Sequence, residues 1–172
     1  MITHRTIFRS TITAAALWIG FGGSLSAQNV GIAVGATAPT AAVETLDGKP
    51  VDLGSFIGKT PVVLHFWATW CPLCKEMEPA MKAAQQKYAG RVTFVAVGVA
   101  RNQTPEKEKA YIGAEHLLGE FVFDAHGTAA AAYKVPSTSY TVVIDKGGKV
   151  AYTGVGGTQN IDSAIAKAIA RR

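Results

Sequence analysis

The two cysteines of this chain, Cys71 and Cys74, are separated by two residues in the stretch HFWATWCPLCKEMEP, residues 65–79. Two thiols at this spacing can be half of a zinc site, a small structural disulfide or a redox pair that carries two electrons. The apolar, β-branched and aromatic run before them, residues 62–67, is typical of a buried strand. Pro72 is compatible with the first turn of a helix. Cys71 is therefore predicted to lie where a strand ends and a helix begins.

This predicted position favours exchange chemistry. Unpaired N–H groups and the positive end of the helix dipole stabilise a thiolate, so the pKa of Cys71 is expected to be low. We expect Cys71 to be exposed and to attack a substrate disulfide. Cys74, inside the helix, is expected to be much less exposed and to resolve the mixed disulfide.

The other uses of two thiols find less support in the sequence. A zinc site needs about four ligands, yet there is no second CxxC, and His65, His116 and His126 are scattered. Lys75 stands where a haem-attachment motif has histidine. A disulfide across two residues would constrain the unfolded chain little. Redox exchange is the preferred interpretation, with metal handling and a structural disulfide as alternatives; no metal site and no separate cofactor is predicted.

The N-terminus, residues 1–27, has the pattern of a secretory signal. Arg5 and Arg9 precede the apolar run TITAAALWIGFGG, which is short for a membrane span, and small residues follow. Cleavage is expected after Ala27, with cleavage after Ser26 and an uncleaved membrane anchor as alternatives. Export to the periplasm, where disulfides persist, is the predicted localisation.

Charge and length limit the remaining function classes. The chain has 172 residues and a net charge of +5. Removal of two arginines with the signal leaves 15 basic and 12 acidic residues, a net charge of +3. The charges alternate in sign without a basic cluster interleaved with aromatic residues, so nucleic acid is not an expected partner.

The rest of the sequence predicts the elements that position the cysteines. Two short strands about Asp47-Gly48 form an N-terminal hairpin, and a second hairpin is predicted near the C-terminus. Between them, strands alternate with helices. We predict an α/β fold with a mixed central sheet and helices on both faces. Residues 28–38 are expected to form a loose lead-in, and residues 39–172 a single domain.

The segment FWATWCPLC resembles the active-site segment of exported TlpA/ResA-like thiol–disulfide oxidoreductases, which have the thioredoxin fold. The preceding hairpin and the later VVIDKGGKVAYTGVGG resemble the same family, so the resemblance covers roughly residues 35–170. It implies a thioredoxin-like fold, with Cys71 as nucleophile and Cys74 as resolving thiol. Trp70 and Pro72 would border the substrate surface.

The same resemblance implies the partners. Relatives commonly act as reductants of protein disulfides, for example in apocytochrome c during cytochrome c maturation, and they take electrons from a membrane thiol donor. The predicted function is a periplasmic disulfide reductase. The alternative is a copper-binding or iron–sulfur-binding module on the same fold.

Two positions depart from the family pattern. Family members have a cis-proline facing the CxxC motif, and the corresponding position here is Ser139, with Pro136 three residues earlier. Ser139 is predicted to face the substrate, and a local shift that lets Pro136 serve is the alternative. His65 stands where thioredoxin has a buried carboxylate. It is a candidate proton acceptor for Cys74, or else a core histidine bonded to the backbone.

Overall fold

The computed structural model describes residues 30–171. The predicted signal segment, residues 1–27, lies outside the described residues. Among the helices that the structure describes, none has the length and apolar composition needed to cross a membrane.

One mixed sheet of seven strands runs through the molecule. In chain order the strands are β1 (Ala42–Thr45), β2 (Pro50–Asp52), β3 (Val62–Trp67), β4 (Thr93–Val99), β5 (Glu120–Asp124), β6 (Tyr140–Ile144) and β7 (Val150–Val155). Their order across the sheet is β2-β1-β5-β4-β3-β6-β7. Strands β3, β4 and β5 are parallel, while β6 is antiparallel to β3 and β7 to β6. The predicted mixed sheet and both hairpins are confirmed.

Helices cover both faces of this sheet. The four α-helices are α1 (Pro72–Lys87), α2 (Pro105–Glu115), α3 (Thr128–Ala132) and α4 (Ile161–Ala170). Val63 of β3 packs with Met77 of α1 and Ile165 of α4 on one face. The next residue, Leu64, packs on the opposite face with Tyr133, which follows α3. This alternation follows from the two-residue period of a strand.

Local sequence signals account for the element boundaries. Thr104 is the N-cap of α2, where its side chain accepts a hydrogen bond from the Lys107 N–H, and Pro105 is the first helical residue. Asn160 caps α4 by accepting from the Ser163 N–H. In the sequence, Thr104 followed by Pro105 is a recognisable start signal for α2.

The segment of residues 30–38 is packed, so the expectation of a loose lead-in is wrong for its described part. Ile32 is 7% exposed, and its N–H donates to the Tyr140 hydroxyl over 3.0 Å. The Gly35 N–H donates to the Val150 carbonyl over 2.8 Å. Small residues let this segment lie close to β6 and β7, where its backbone finds partners.

Candidate active site

The two cysteines connect the carboxyl end of β3 to the first turn of α1. Cys71 is the N-cap residue of α1, and Pro72 is its first helical residue. Cys71 and Cys74 form a disulfide with their Cα atoms 5.3 Å apart, and the Cys74 N–H donates to Cys71 Sγ over 3.2 Å. This N–H and the helix dipole both favour negative charge on Cys71 Sγ once the pair is reduced. The predicted strand-to-helix position is confirmed.

The predicted difference in exposure between the two cysteines is absent. Cys71 and Cys74 are each 2% exposed in this disulfide form. Both pack with Trp67 and Ala68 in one cluster, and Tyr111 of α2 packs against it. The expectation of an exposed Cys71 is therefore wrong here, because the end of β3 and α2 enclose the pair.

Exposed apolar side chains surround the buried disulfide. Trp70 is 44% exposed, Pro72 is exposed, and Leu73 is 43% exposed. The Trp70 Nε1–H donates to the Arg101 carbonyl over 2.8 Å, which fixes the indole ring. We call these three residues, Trp70, Pro72 and Leu73, the rim. No role was predicted for Leu73, although its place between the cysteines in the first helical turn was the available signal.

The side chain of Ser139 is turned away from the protein surface. Ser139 is fully buried, and its Oγ donates to the Gly156 carbonyl over 3.0 Å. The expectation for Ser139 is corrected, because its hydroxyl group is turned toward the end of β7. The alternative residue, Pro136, is exposed. No peptide bond within residues 30–171 is cis.

His65 lies beneath the cysteines, on the side of β3 opposite Leu64. Its Nδ1 is 3.0 Å from the Thr141 hydroxyl oxygen on the neighbouring strand β6. His65 and Cys74 both line a cavity of about 70 Å³ between the sheet and α1, a volume that can hold several water molecules. Burial lowers the pKa of His65 to about 4. The ring is therefore neutral at neutral pH.

Glu78, which the sequence did not mark as a site residue, also lines this cavity. It is partly buried and accepts a hydrogen bond of 2.6 Å from the Tyr111 hydroxyl. Burial and the neighbouring Glu78 carboxylate raise the pKa of Tyr111. The available signal was spacing, since Glu78 follows Cys74 by four residues and so shares its helix face.

A family model described as Redoxin matches residues 33–169, which is most of the chain. The chain belongs to the Redoxin family. It is similar to thioredoxin-like protein YneN of Bacillus subtilis, at 35% identity over 73% of this chain and 73% of the relative. It is also similar to thiol-disulfide oxidoreductase ResA of Geobacillus thermodenitrificans, at 32% identity over 86% of this chain and 85% of the relative.

Comparison with a solved structure shows that the similarity includes the fold of this Redoxin-family chain. The thiol:disulfide interchange protein of Chlorobium tepidum, a thioredoxin family protein, superposes with a TM-score of 0.66 at 27% identity. The match covers 80% of this chain and 98% of that chain. The predicted thioredoxin-like fold and the resemblance to ResA-like proteins are confirmed.

The predicted enzyme class is also confirmed. This Redoxin-family chain is a thiol–disulfide oxidoreductase, and the Cys71–Cys74 pair has the spacing and placement of its redox centre. Across the part of the chain that the structure describes, there is no group of three or more His, Cys, Asp or Glu side chains able to hold a metal ion. The roles of the individual residues remain predictions.

Proposed function

We propose that this protein reduces disulfides of exported proteins in the periplasm. The observation that carries the proposal is the Cys71 sulfur at the start of α1, where it accepts a hydrogen bond from the Cys74 N–H. A sulfur in this position is stabilised as a thiolate, which is the form that attacks disulfides. The export pattern in residues 1–27 supports a location outside the cytoplasm.

The proposed reaction has two exchange steps. In the first, the Cys71 thiolate attacks one sulfur of the substrate disulfide, and the other substrate sulfur leaves as a thiolate and takes up a proton. In the second, Cys74 loses its proton and attacks Cys71 Sγ, which releases the remaining substrate thiolate. Two electrons pass from the cysteine pair to the substrate. A membrane thiol donor then reduces the Cys71–Cys74 disulfide by the same exchange chemistry.

We assign His65 as the proton acceptor for Cys74 in the second step. Both residues line the same cavity, so a water molecule there can connect them. His65 accepts a proton at Nε2 only when Nδ1 carries the other proton and donates it to Thr141. A pKa near 4 makes His65 a weak base, so its proposed role is to relay the Cys74 proton to water rather than to hold it.

The rim is the proposed contact surface for the substrate polypeptide. Trp70, Pro72 and Leu73 expose apolar area directly around the buried sulfurs, and such area favours contact with apolar side chains of a partner. Exported proteins that carry disulfides are the proposed substrates, apocytochrome c among them.

The test combines turnover with a redox titration. The purified protein is expected to reduce insulin disulfides, with Cys71→Ser as the inactive control. Titration against glutathione is expected to give a potential near that of thioredoxin, about −270 mV. A potential near about −120 mV would make the protein an oxidant and contradict the proposed direction of electron flow.

The rival proposal, a copper-binding or iron–sulfur-binding module, needs ligands besides the two thiolates. Within residues 30–171, no cluster of three metal-binding side chains supplies them. Copper and iron content of the purified protein, measured beside insulin reduction, separates the two proposals. Stoichiometric metal without exchange activity would favour the metal-binding module.

A further inference from the structure

The side-chain amide of Gln103, between β4 and α2, is hydrogen-bonded to the loop that carries Cys71. Its Oε1 accepts from the Thr69 N–H over 2.6 Å. Its Nε2 donates to the Val99 carbonyl over 3.3 Å and to Glu108 Oε1 over 2.8 Å. Because a backbone N–H can only donate and a backbone carbonyl can only accept, these partners fix the orientation of the amide. Gln103 is 5% exposed, so water does not compete strongly for these bonds.

The hydrogen bonds of Gln103 form a bridge from Thr69 to Glu108. Glu108 is the inner end of this bridge. It is fully buried in the first turn of α2, where an acidic side chain would ordinarily reach solvent. Its carboxyl group lies against Gly98 of β4, and a Cβ at Gly98 would overlap it. Burial raises the pKa of Glu108 to about 8, so the group is mostly neutral at neutral pH.

The burial of Glu108 has a cost in stability. Among the residues described, Oε2 has no hydrogen-bond partner although it is buried. A buried oxygen without a partner is unfavourable, and an apolar side chain of similar size would avoid it. The bond from Gln103 Nε2 to Oε1 is the interaction that such an apolar residue could not provide.

The bridge acts on the loop immediately before Cys71. Thr69 lies two residues before Cys71, and the Cys71 N–H donates to the Ala68 carbonyl over 3.0 Å. Movement of the Thr69 backbone therefore moves Cys71 relative to the first turn of α1. The distance between Cys71 Sγ and the Cys74 N–H depends on that placement.

We propose that Gln103 is a positioning residue for Cys71, and that Glu108 holds the Gln103 amide in the orientation this requires. The inference rests on the proposed exchange reaction, in which Cys71 attacks as a thiolate. Neither side chain contacts the sulfur, so both act through the Thr69 N–H. Loss of the bridge loosens the loop, weakens the bond between the Cys74 N–H and the sulfur, and raises the pKa of Cys71.

The experiment measures the Cys71 thiol directly and does not need turnover. In a Cys74→Ser background, the pH dependence of alkylation by iodoacetamide gives the pKa of Cys71. Gln103→Ala is expected to raise this pKa by about half to one unit, the scale of one hydrogen bond. Alkylation below the pKa should slow by roughly three- to tenfold, because less thiolate is present.

Three further variants separate positioning from general stability. Tyr133→Phe, in the same background, removes a partly buried hydrogen bond to the Pro39 carbonyl on the opposite face of the sheet. It should lower the melting temperature without changing the pKa of Cys71. Glu108→Gln keeps an oxygen acceptor for Gln103, so it should restore most of the shift that Glu108→Ala causes.

The outcomes distinguish this inference from the function on which it rests. An unchanged pKa of Cys71 in Gln103→Ala, at a melting temperature like that of Tyr133→Phe, would overturn the positioning role. Equal pKa shifts in Glu108→Gln and Glu108→Ala would overturn the role of Glu108. A raised pKa in Gln103→Ala, together with no insulin reduction by the wild type, would support positioning and remove the proposed function.

Discussion

The sulfur of Cys71 occupies a position that an oxygen of Ser, Thr, Asp or Asn usually holds at the start of a helix. Like those oxygens, it accepts a backbone N–H, here that of Cys74. A thiolate is a stronger acceptor than a thiol, so the same contact that caps α1 also favours the reactive form of the sulfur. Capping and nucleophile activation are one interaction at this residue.

Substitution of each cysteine should have a different effect. Cys71→Ser is expected to abolish insulin reduction, while Cys74→Ser should still attack and then accumulate a mixed disulfide, since no thiol remains to resolve it. Mass spectrometry of the reaction mixture measures that adduct. Because the closed loop is very short, loss of the disulfide should change stability little. An adduct formed by Cys71→Ser instead would reverse the assigned roles.

His65→Ala is expected to slow resolution of the mixed disulfide by about ten- to a hundredfold, with little effect on the first attack. The reason is that the cavity next to Cys74 loses its proposed proton acceptor. Rapid mixing with a disulfide peptide separates the two steps. Thr141→Val, which removes the partner of Nδ1, should slow the same step less. Equal slowing of both steps by His65→Ala would contradict the assignment.

The helices, strands and turns that have a strong local sequence pattern were predictable from the sequence. The apolar run of β3 and the cap of α2 at Thr104 needed only neighbouring residues. The two hairpins followed from turn residues such as Asp47-Gly48. These elements place the cysteine pair at the carboxyl end of β3, an interior strand of the sheet, so the main feature of the site was predictable too.

Contacts between distant segments were not predictable. The burial of Cys71 depends on α2, and the inward turn of Ser139 depends on Gly156 at the end of β7. The bridge from Thr69 to Gln103 joins residues 34 positions apart. No periodicity or spacing in the sequence encodes such pairings, which arise only once the sheet is assembled.

Removal of the packed lead-in should destabilise the fold. A chain starting at residue 39 is expected to lose about 2–4 kcal/mol of unfolding free energy, from the exposure of Ile32 and the loss of backbone hydrogen bonds to β7. Urea unfolding measures the difference, with a chain starting at residue 30 as the matched control. Equal stability of the two chains would show that residues 30–38 contribute nothing to the folded state.

At the scale of the whole molecule, two buried groups give stability opposite dependences on pH. Burial lowers the pKa of His65 from 6.5 to about 4, so between these values only the unfolded chain binds the proton, and stability falls as pH falls. Burial raises the pKa of Glu108 from 4.5 to about 8, so between these values the folded chain keeps a proton that the unfolded chain has lost, and stability falls as pH rises. The two groups therefore limit stability from opposite sides.

Two variants test this balance. His65→Asn should reduce the stability that is lost as the pH falls from about 7 to about 4.5. Glu108→Gln should reduce the stability that is lost as the pH rises from about 5 to about 8.5. Each reduction should be roughly 1–3 kcal/mol. Urea unfolding at each pH measures both differences, and other titrating groups cancel when each variant is compared with the wild type. Parallel pH profiles of wild type and variant would contradict the corresponding group's role.

The cavity beneath the cysteines has a consequence for the order of events during turnover. Cys74 and His65 line it, whereas the rim of Trp70, Pro72 and Leu73 lies at the surface around the disulfide. On the proposed proton route through His65, protons and polypeptide reach the cysteine pair from different directions. A bound partner that covers the rim leaves the inner route open, so deprotonation of Cys74 need not wait for the partner to move. The enzyme can complete the second exchange while the substrate remains in place.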